Sequence, residues 1–255
     1  MKFFIVFLFF SINAHADFFD HFWVELEGGP VWQTKNDIQI PSDTGTRFSL
    51  TQFGSGPKVS GRVYLGYQIH KNHELRFLWA PLNLKSKGFL AQPVSFYGGS
   101  FGTSEETNAV YQFNSYRLTY RYQLLNWESG LFKIGFTAKI RDAKIQLIQG
   151  STDVSRTDVG FVPLLHLQLY QEIYDAIFVR LDADALAAPQ GRAEDVAIQF
   201  GYQYQKNWTF LMGYRMLEGG AKGGNTGGVF NFTWLHYLTF GIQYRLNSET
   251  EKSWN

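Results

Sequence analysis

Residues 178–190 read FVRLDADALAAPQ, and in this stretch apolar and charged side chains alternate. Val179 and Leu181 are each followed by a charged residue, Arg180 and Asp182. Successive side chains of a β-strand point to opposite faces, so the stretch predicts a strand with one apolar and one charged face. Which of the two faces meets water depends on the rest of the chain.

The same two-residue period recurs along the whole sequence, which predicts an all-β protein. Aromatic residues make up 18% of the chain, which suits strands, and 25 glycines suit turns and loops. We predict about ten strands, and eight or twelve are possible if two segments are misread. The predicted strands are 22–34, 58–69, 74–85, 108–124, 131–147, 159–173, 176–187, 195–205, 208–218 and 229–246.

The connections between these strands alternate in length. Four are tight, at 70–73, 126–130, 174–175 and 206–207. Most of the others are longer and rich in Gly, Ser and Thr. Short and long connections in alternation are typical of a closed antiparallel up-and-down barrel with one short-turn end and one long-loop end.

The apolar faces of the predicted strands are too bulky to fill the inside of such a barrel. On the last strand Phe232, Trp234 and Phe240 share one face, opposite Thr233 and Gln243. Ten faces of this kind would overfill a closed barrel, whereas pointing outward they match a lipid-facing band. A closed sheet is also needed in lipid, because an open edge would leave backbone groups unpaired. We therefore predict a transmembrane barrel with the charged faces inside.

Two further patterns support a membrane barrel. Near the short-turn end an aromatic girdle is predicted, formed by Tyr67, Tyr122, Trp127, Tyr204, Trp208 and Tyr244. Residues 239–246 read TFGIQYRL, in which Thr239, Gly241, Tyr244 and Leu246 fit a polar-x-Gly-x-x-aromatic-x-hydrophobic pattern.

With these features the chain resembles small bacterial outer-membrane β-barrel proteins over residues 17–246. The resemblance implies a location in the outer membrane of the Gram-negative envelope, with short turns and termini periplasmic and long loops extracellular. It also implies contact with outer-membrane lipids and with the barrel-insertion machinery, to which the TFGIQYRL signal would be presented.

The two ends of the chain are expected to lie outside the barrel. Residues 1–16, MKFFIVFLFFSINAHA, have the charged start, apolar centre and small-x-small site of a signal peptide, with cleavage after Ala16. Residues 247–255 are expected to form a periplasmic tail.

Alternate residues of each strand point to the same side of the barrel wall. Following this alternation along every predicted strand places a set of charged residues in the lumen. Interleaved acids and bases must pair there, because an isolated buried charge is very costly. We predict an ion-paired plug; the alternative is a passage, in which the excess of bases would favour anions. The set is Glu25, Glu27, Arg62, Glu74, Arg76, Arg117, Arg121, Lys133, Lys139, Arg141, His166, Arg180, Asp182, Asp184 and Arg215.

Two histidines are candidate catalytic residues. A turn at 174–175 would place His166 opposite Asp182 and Gln168 opposite Arg180; the His–carboxylate pair is a catalytic dyad or, in the interpretation we favour, a satisfied polar contact. His236 has the parity of a lipid-facing residue. Some lipid-A-deacylating barrels use an outward His with Ser two residues later, but Leu238 stands there. The interpretation we favour is a bulge that turns His236 inward, or a neutral His beside a neighbouring polar group.

Composition excludes several other classes of site. The chain has no cysteine and a net charge of +1, and its six histidines lack metal-ligand spacing, so we expect no cofactor, no metal and no nucleic-acid partner.

Three functional hypotheses follow. The first is a structural role, or porin-like narrow passage of small solutes through a largely plugged lumen. The second is an enzyme embedded in the membrane that modifies lipid A, phospholipid or surface peptides. The third is surface binding through the long loops 35–57 and 86–107, whose aromatic side chains could instead form a lid, which we favour. Those side chains are Phe48, Phe53, Phe96, Tyr97 and Phe101.

Overall fold

The computed structural model describes residues 21–224 and 226–246, so the predicted signal peptide and tail lie outside the described residues. The chain in these ranges is almost entirely β-structure, with one 3-10 helix, Leu50–Phe53. The strands are β1 (Phe22–Gln39), β2 (Phe48–Ser49), β3 (Lys58–His70), β4 (His73–Ala80), β5 (Asn83–Gly88), β6 (Val94–Phe96), β7 (Gly99–Phe101), β8 (Thr107–Trp127), β9 (Gly130–Gln149), β10 (Thr152–Tyr174), β11 (Ile177–Ala188), β12 (Gly191–Gln203), β13 (Trp208–Lys222) and β14 (Phe230–Arg245).

In the described part of the chain, no helix is both long enough and apolar enough to cross a membrane.

The large sheet closes into a barrel because β14 pairs with β1. All pairings are antiparallel, and β4 and β5 both pair with β8, so together they form one interrupted barrel strand. The short β2 pairs only with the upper part of β1, and β6 and β7 form a separate hairpin. With β4 and β5 counted once, the barrel has ten strands, and the predicted closed antiparallel barrel is confirmed.

The two faces of the barrel wall have opposite chemistry. Large apolar side chains are exposed on the outside, for example Leu118 at 51% and Phe136 at 68%. Charged and amide side chains such as Arg117, Asp184 and Gln199 are buried on the inside. A water-soluble barrel would have the reverse distribution. The charged face of residues 178–190 therefore points into the lumen, as predicted.

Aromatic side chains also gather on the outside near the short turns. Trp208 and Tyr244 lie on paired strands with their ring centroids 4.5 Å apart. The ring centroids of Tyr67 and Phe22 also lie 4.7 Å apart. This arrangement is typical of an interfacial aromatic belt.

The predicted strict alternation of short and long connections is wrong. At the long-loop end, β9 and β10 are joined by a turn at residues 150–151, and β11 and β12 by a turn at 189–190. The predicted strand 159–173 begins too late because the outward-facing residues before it, Asp153, Ser155 and Thr157, are polar. A strand that extends beyond the apolar belt has water on its outer face, so hydrophobic alternation no longer marks it.

The long-loop end of the barrel is filled by its own loops. Phe48, Phe53, Phe96 and Phe101 are buried in one apolar cluster with side chains of β1, β8 and β9, whereas Tyr97 is exposed. The two long loops therefore fold inward as a plug, and the preferred lid interpretation is confirmed for four of the five aromatic residues. We call this apolar cluster the upper plug.

The barrel wall has a gap between β10 and β11. The two strands pair from the turn up to Leu165 and Ala185. Above this pair β10 continues against β9 alone, and residues 186–188 of β11 pair with β12 alone. Pro163 lies on the part of β10 that pairs with β9 but has no partner on the β11 side. This position agrees with the rule that proline in sheets occurs at edges.

Candidate functional site

Asp195 of β12 is the centre of an ion network across the middle of the lumen. Its carboxylate accepts hydrogen bonds from Arg62 Nη2 at 2.8 Å, Arg117 Nη2 at 2.6 Å and Arg215 Nη1 at 2.6 Å. These arginines come from β3, β8 and β13, so the contacts join opposite sides of the barrel.

Two more carboxylates complete this central network. Glu27 accepts from Arg215 Nη2 at 3.0 Å and lies 3.7 Å from Arg62 Nε. Asp184 accepts from Arg117 Nη1 at 2.8 Å. We define the central network as Glu27, Arg62, Arg117, Asp184, Asp195 and Arg215; all six side chains are buried.

A second set of ion pairs lies nearer the short turns. Arg180 donates two hydrogen bonds to Glu25, at 2.8 and 2.7 Å. Arg76 donates two to Asp182, at 2.7 and 3.2 Å. Paired bonds of this kind give geometric specificity as well as attraction.

Glu74 belongs to the same lower set and is held from three sides. It accepts from Arg121, from Lys133 Nζ at 2.7 Å and from the indole Nε1 of Trp23 at 2.9 Å. We define the lower network as Glu25, Glu74, Arg76, Arg121, Lys133, Arg180 and Asp182.

The predicted pairing of His166 with Asp182 is wrong by two residues. His166 lies opposite Asp184, and Gln168 lies opposite Asp182. The turn is formed by residues 175 and 176, with Ala176 at a φ of 61°. Alanine rarely adopts this left-handed conformation, so the sequence gives no sign of where the turn falls.

His166 is nevertheless held by a carboxylate. Its Nδ1 lies 2.8 Å from Asp184 Oδ1, and its Nε2 lies 4.0 Å from Asp182 Oδ2. The His166 side chain has 0% exposure, and Asp184 also accepts from Thr137 and Arg117. This arrangement orients the imidazole within the ion network and leaves no route for a substrate to reach it.

His236 faces outward, as its parity predicts. Its Nε2 lies 2.8 Å from Thr34 Oγ1, and its Nδ1 contacts the Tyr214 hydroxyl. Thr34 reaches it because β1 has a bulge between Gln33 and Lys35. The bulge is thus in the neighbouring strand and leaves His236 outside, where two hydroxyl groups satisfy both ring nitrogens.

Sequence reasoning missed Asp195, the carboxylate on which three arginines converge. It lies at the first position of the predicted strand 195–205 and shares parity with Ala197 and Gln199, so parity alone could have included it. Tyr64, whose hydroxyl accepts from Arg215 at 2.9 Å, was also missed because aromatic residues were assigned outward.

Two predicted lumen residues lie above the networks. Arg141 pairs with Asp158 of the neighbouring strand β10. Lys139 is 3% exposed, and its ammonium lies 4.8 Å from the centroid of the Phe113 ring. Across the described residues, Lys139 takes part in no ion pair closer than 4.0 Å.

Two larger cavities lie in the lumen formed by the described residues. A lower one of about 260 Å³ is lined by Glu74, Lys133 and Arg180 among others. An upper one of about 540 Å³ is lined by Lys139 and Leu186 among others. The two share no lining residue, because the charged networks lie between them. Within residues 21–224 and 226–246, no group of three or more His, Asp or Glu side chains could hold a metal ion.

The residues of the predicted insertion signal lie on the last strand and just after it. Thr239 is buried on the lumen side, and Tyr244 and Leu246 are exposed on the outside. Gly241 leaves room for Leu211 of β13, whose Cβ would lie 3.2 Å from an added methyl group.

Comparison with known proteins identifies the fold. No model of a known protein family matches the chain, and no curated protein matches it. Solved structures do match. The outer membrane protease OmpT from Escherichia coli aligns over 89% of this chain and 97% of its own, with 10% identity and a TM-score of 0.52. The fold is that of an outer-membrane β-barrel.

Other outer-membrane β-barrels align at lower TM-scores. The transport unit of the autotransporter AIDA-I from Escherichia coli covers 92% of this chain and 93% of its own, with 8% identity and a TM-score of 0.48. The attachment invasion locus protein Ail of Yersinia pestis covers 88% and 99%, with 8% identity and a TM-score of 0.41. At such identities the likeness concerns the outer-membrane β-barrel fold alone.

Proposed function

We propose that this outer-membrane β-barrel is an integral outer-membrane protein whose lumen is closed to solutes, so that its role is structural or ligand-binding and differs from that of a porin. The observation that carries this proposal is the central network, in which three arginines from different strands converge on Asp195.

The cost of separating these charges supports a closed lumen. A passage through the middle of the barrel would have to part several ion pairs at once. Leaving one buried charge without its partner typically costs about 3–5 kcal/mol. Because each arginine of the central network is shared between two carboxylates, a single rotation cannot open a path.

The upper plug is a second barrier. Phe96 and Phe101 of the β6–β7 hairpin are fully or almost fully buried under the long-loop end. Their burial also weakens the surface-binding hypothesis, since most aromatic side chains of the long loops are used for packing.

An enzymatic role has less support. The match to a protease is at 10% identity and concerns the fold. The His166–Asp184 pair is sealed inside the networks, and His236 is held by two hydroxyl groups on the outer face.

The orientation that goes with this proposal places the short turns and both termini in the periplasm and the upper plug at the cell surface. The predicted insertion signal on β14 would then be available to the insertion machinery from the periplasm.

Outer-membrane fractionation and electrophoresis of boiled and unboiled samples test insertion, for which we expect a heat-modifiable band. Planar-bilayer recording tests closure. We expect no steps from the native protein, and none when residues 89–106 are replaced by a Gly-Ser linker.

A second variant opens both ion networks. It carries the same linker together with Arg117→Ala, Asp195→Ala and Arg215→Ala in the central network and Arg76→Ala and Asp182→Ala in the lower network, and we expect it to conduct. Stable large steps from the native protein would contradict a closed lumen, as would conduction from the linker variant alone.

A further inference from the structure

The gap between β10 and β11 opens through the side of the barrel. No backbone pairing joins the two strands above Leu165 and Ala185. One lip is the part of β10 that carries Phe161 and Pro163, and the other is residues 186–188 of β11.

This gap lies at the level of the exposed apolar belt. Trp79, Tyr116, Ile140 and Phe161 follow one another across the paired strands β4, β8, β9 and β10. All four side chains are exposed on the outside. The row ends at the lip of the gap, so in an inserted barrel the gap faces the upper part of the lipid layer.

Behind the gap lies the upper cavity, of about 540 Å³. Its wall includes Val162, Leu164, Leu186, Ala188 and Leu217. Cavities of about 300–1,000 Å³ with mostly apolar walls and a few polar groups are typical of small-molecule sites.

The inner part of this cavity carries uncompensated positive charge. The lining cations are Arg117, Lys139, Arg141, Lys144, Arg156 and Arg192, and the lining carboxylates are Asp158, Glu194, Asp195 and Glu218. Arg117, Arg141 and Arg192 are paired with carboxylates. Among the described residues, the Lys139 ammonium has no ion-pair or hydrogen-bond partner and lies only over the face of the Phe113 ring, although the side chain is 3% exposed.

We propose that the upper cavity binds a single-chain amphipathic anion, with its apolar tail between the lips of the β10–β11 gap and its anionic head on Lys139. The ligand class is that of fatty acids and lysolipids, reached sideways from the lipid layer. The sideways route rests on the proposed membrane insertion. A buried ammonium with no carboxylate partner is the group that an anionic head would satisfy, and the apolar lips match a tail.

Native mass spectrometry of the heat-modifiable protein in nonionic detergent tests this proposal. Dodecanoate is the first probe, and we expect one molecule to bind saturably. Dodecanol and dodecyltrimethylammonium have the same tail with a neutral and a cationic head, and we expect each to bind at least about tenfold more weakly, as loss of a charge-assisted contact implies. Lysophosphatidylglycerol is compared with dodecanoate in the same experiment. Tighter binding of lysophosphatidylglycerol would assign a lysolipid as the ligand, and tighter binding of dodecanoate would assign a free fatty acid.

Variants locate the two parts of the site. Lys139→Gln should weaken dodecanoate binding at least about tenfold and leave dodecanol binding unchanged. Leu186→Trp should block the gap and weaken both probes. Lys87→Gln is the matched control, because Lys87 is an exposed lysine away from the cavity.

Equal binding of the three head groups to the native protein would overturn the assignment of the anionic head, and this comparison needs no variant. Absence of saturable binding to heat-modifiable, non-conducting protein would overturn the inference and leave the proposed function intact. Absence of the heat-modifiable band would overturn both.

Discussion

The lower and upper halves of the lumen are closed by different means. In the lower half the wall is fully paired and the interior is filled by ion pairs, such as Arg180 with Glu25 and Arg76 with Asp182. In the upper half apolar loop residues occupy part of the interior beside a cavity of about 540 Å³, and the wall is open between β10 and β11. Side chains of the strands close the lower half, whereas side chains of the loops close the upper half. The lower half therefore holds the barrel strands together, and the upper half has room for a ligand site.

The largest effect is expected from Asp195→Ala. This change leaves Arg62, Arg117 and Arg215 without their shared carboxylate, and we expect a loss of about 3–5 kcal/mol in the free energy of unfolding. Urea unfolding in lipid vesicles measures it. Asp158→Ala removes a half-exposed ion pair instead, and should cost about 0–1 kcal/mol. Similar losses for both would mean that the central network does not hold the barrel together.

The next effect is expected from Phe96→Ala in the upper plug. Removing a fully buried aromatic side chain typically lowers the free energy of unfolding by about 3–5 kcal/mol. Here we expect the change to destabilise the folded loop and not the barrel. We expect faster proteolysis of residues 89–106 with little change in the unfolding of the barrel. Phe89→Ala, at an exposed position, is the control. Unfolding of the whole barrel at lower urea concentration would show that the two halves are not independent.

A smaller effect is expected from Gly66→Ala in the lower half. An added Cβ would lie 1.9 Å from the Trp23 ring, so the indole that donates to Glu74 must move. Overpacking of this kind typically costs about 1–3 kcal/mol. Gly61→Ala is matched to it on the same strand, since the nearest atom there is 3.9 Å away. Equal unfolding curves for the two variants would indicate that Trp23 has room to rotate.

The smallest effect is expected from His236→Ala on the outer face. The change removes contacts to Thr34 and Tyr214, and we expect a loss of about 1 kcal/mol because neither partner lies in the charged lumen. The same unfolding assay measures it. A loss as large as that for Asp195→Ala would assign the outer face a role equal to that of the lumen.

Most of the fold could be predicted from the sequence because the barrel wall places most apolar residues on the outer face and the charged residues on the inner face, in alternation. Parity states which face a side chain occupies, but not its height along the barrel. The height depends on each turn and each bulge: the turn at residues 175–176 and the bulge between Glu172 and Tyr174 together place His166 opposite Asp184. Lys139 was assigned to the lumen, yet its lack of a carboxylate partner depends on which residues share its height.

The gap between β10 and β11 could not be predicted for a related reason. Residues 159–165 and 185–188 read VGFVPLL and ALAA, and a continuous apolar run does not record whether a neighbouring strand is present. Only Pro163 marks an unpaired edge, and one proline is compatible with several positions in a sheet. The proposed upper ligand site therefore depends on how β10 and β11 pair, which the hydrophobic pattern does not show.

The cross-lumen ion pairs also bear on how the protein folds. Glu27 and Arg215 are separated by 188 residues, and Glu25 and Arg180 by 155. Contacts between residues so far apart form late and slow the folding of β-proteins. Until β14 meets β1, Arg215 lacks Glu27, and Arg62 and Arg117 lack Asp195, so the cost of placing these arginines in hydrocarbon is highest. We therefore expect closure of the barrel and its transfer into the lipid to occur together, as one kinetic step.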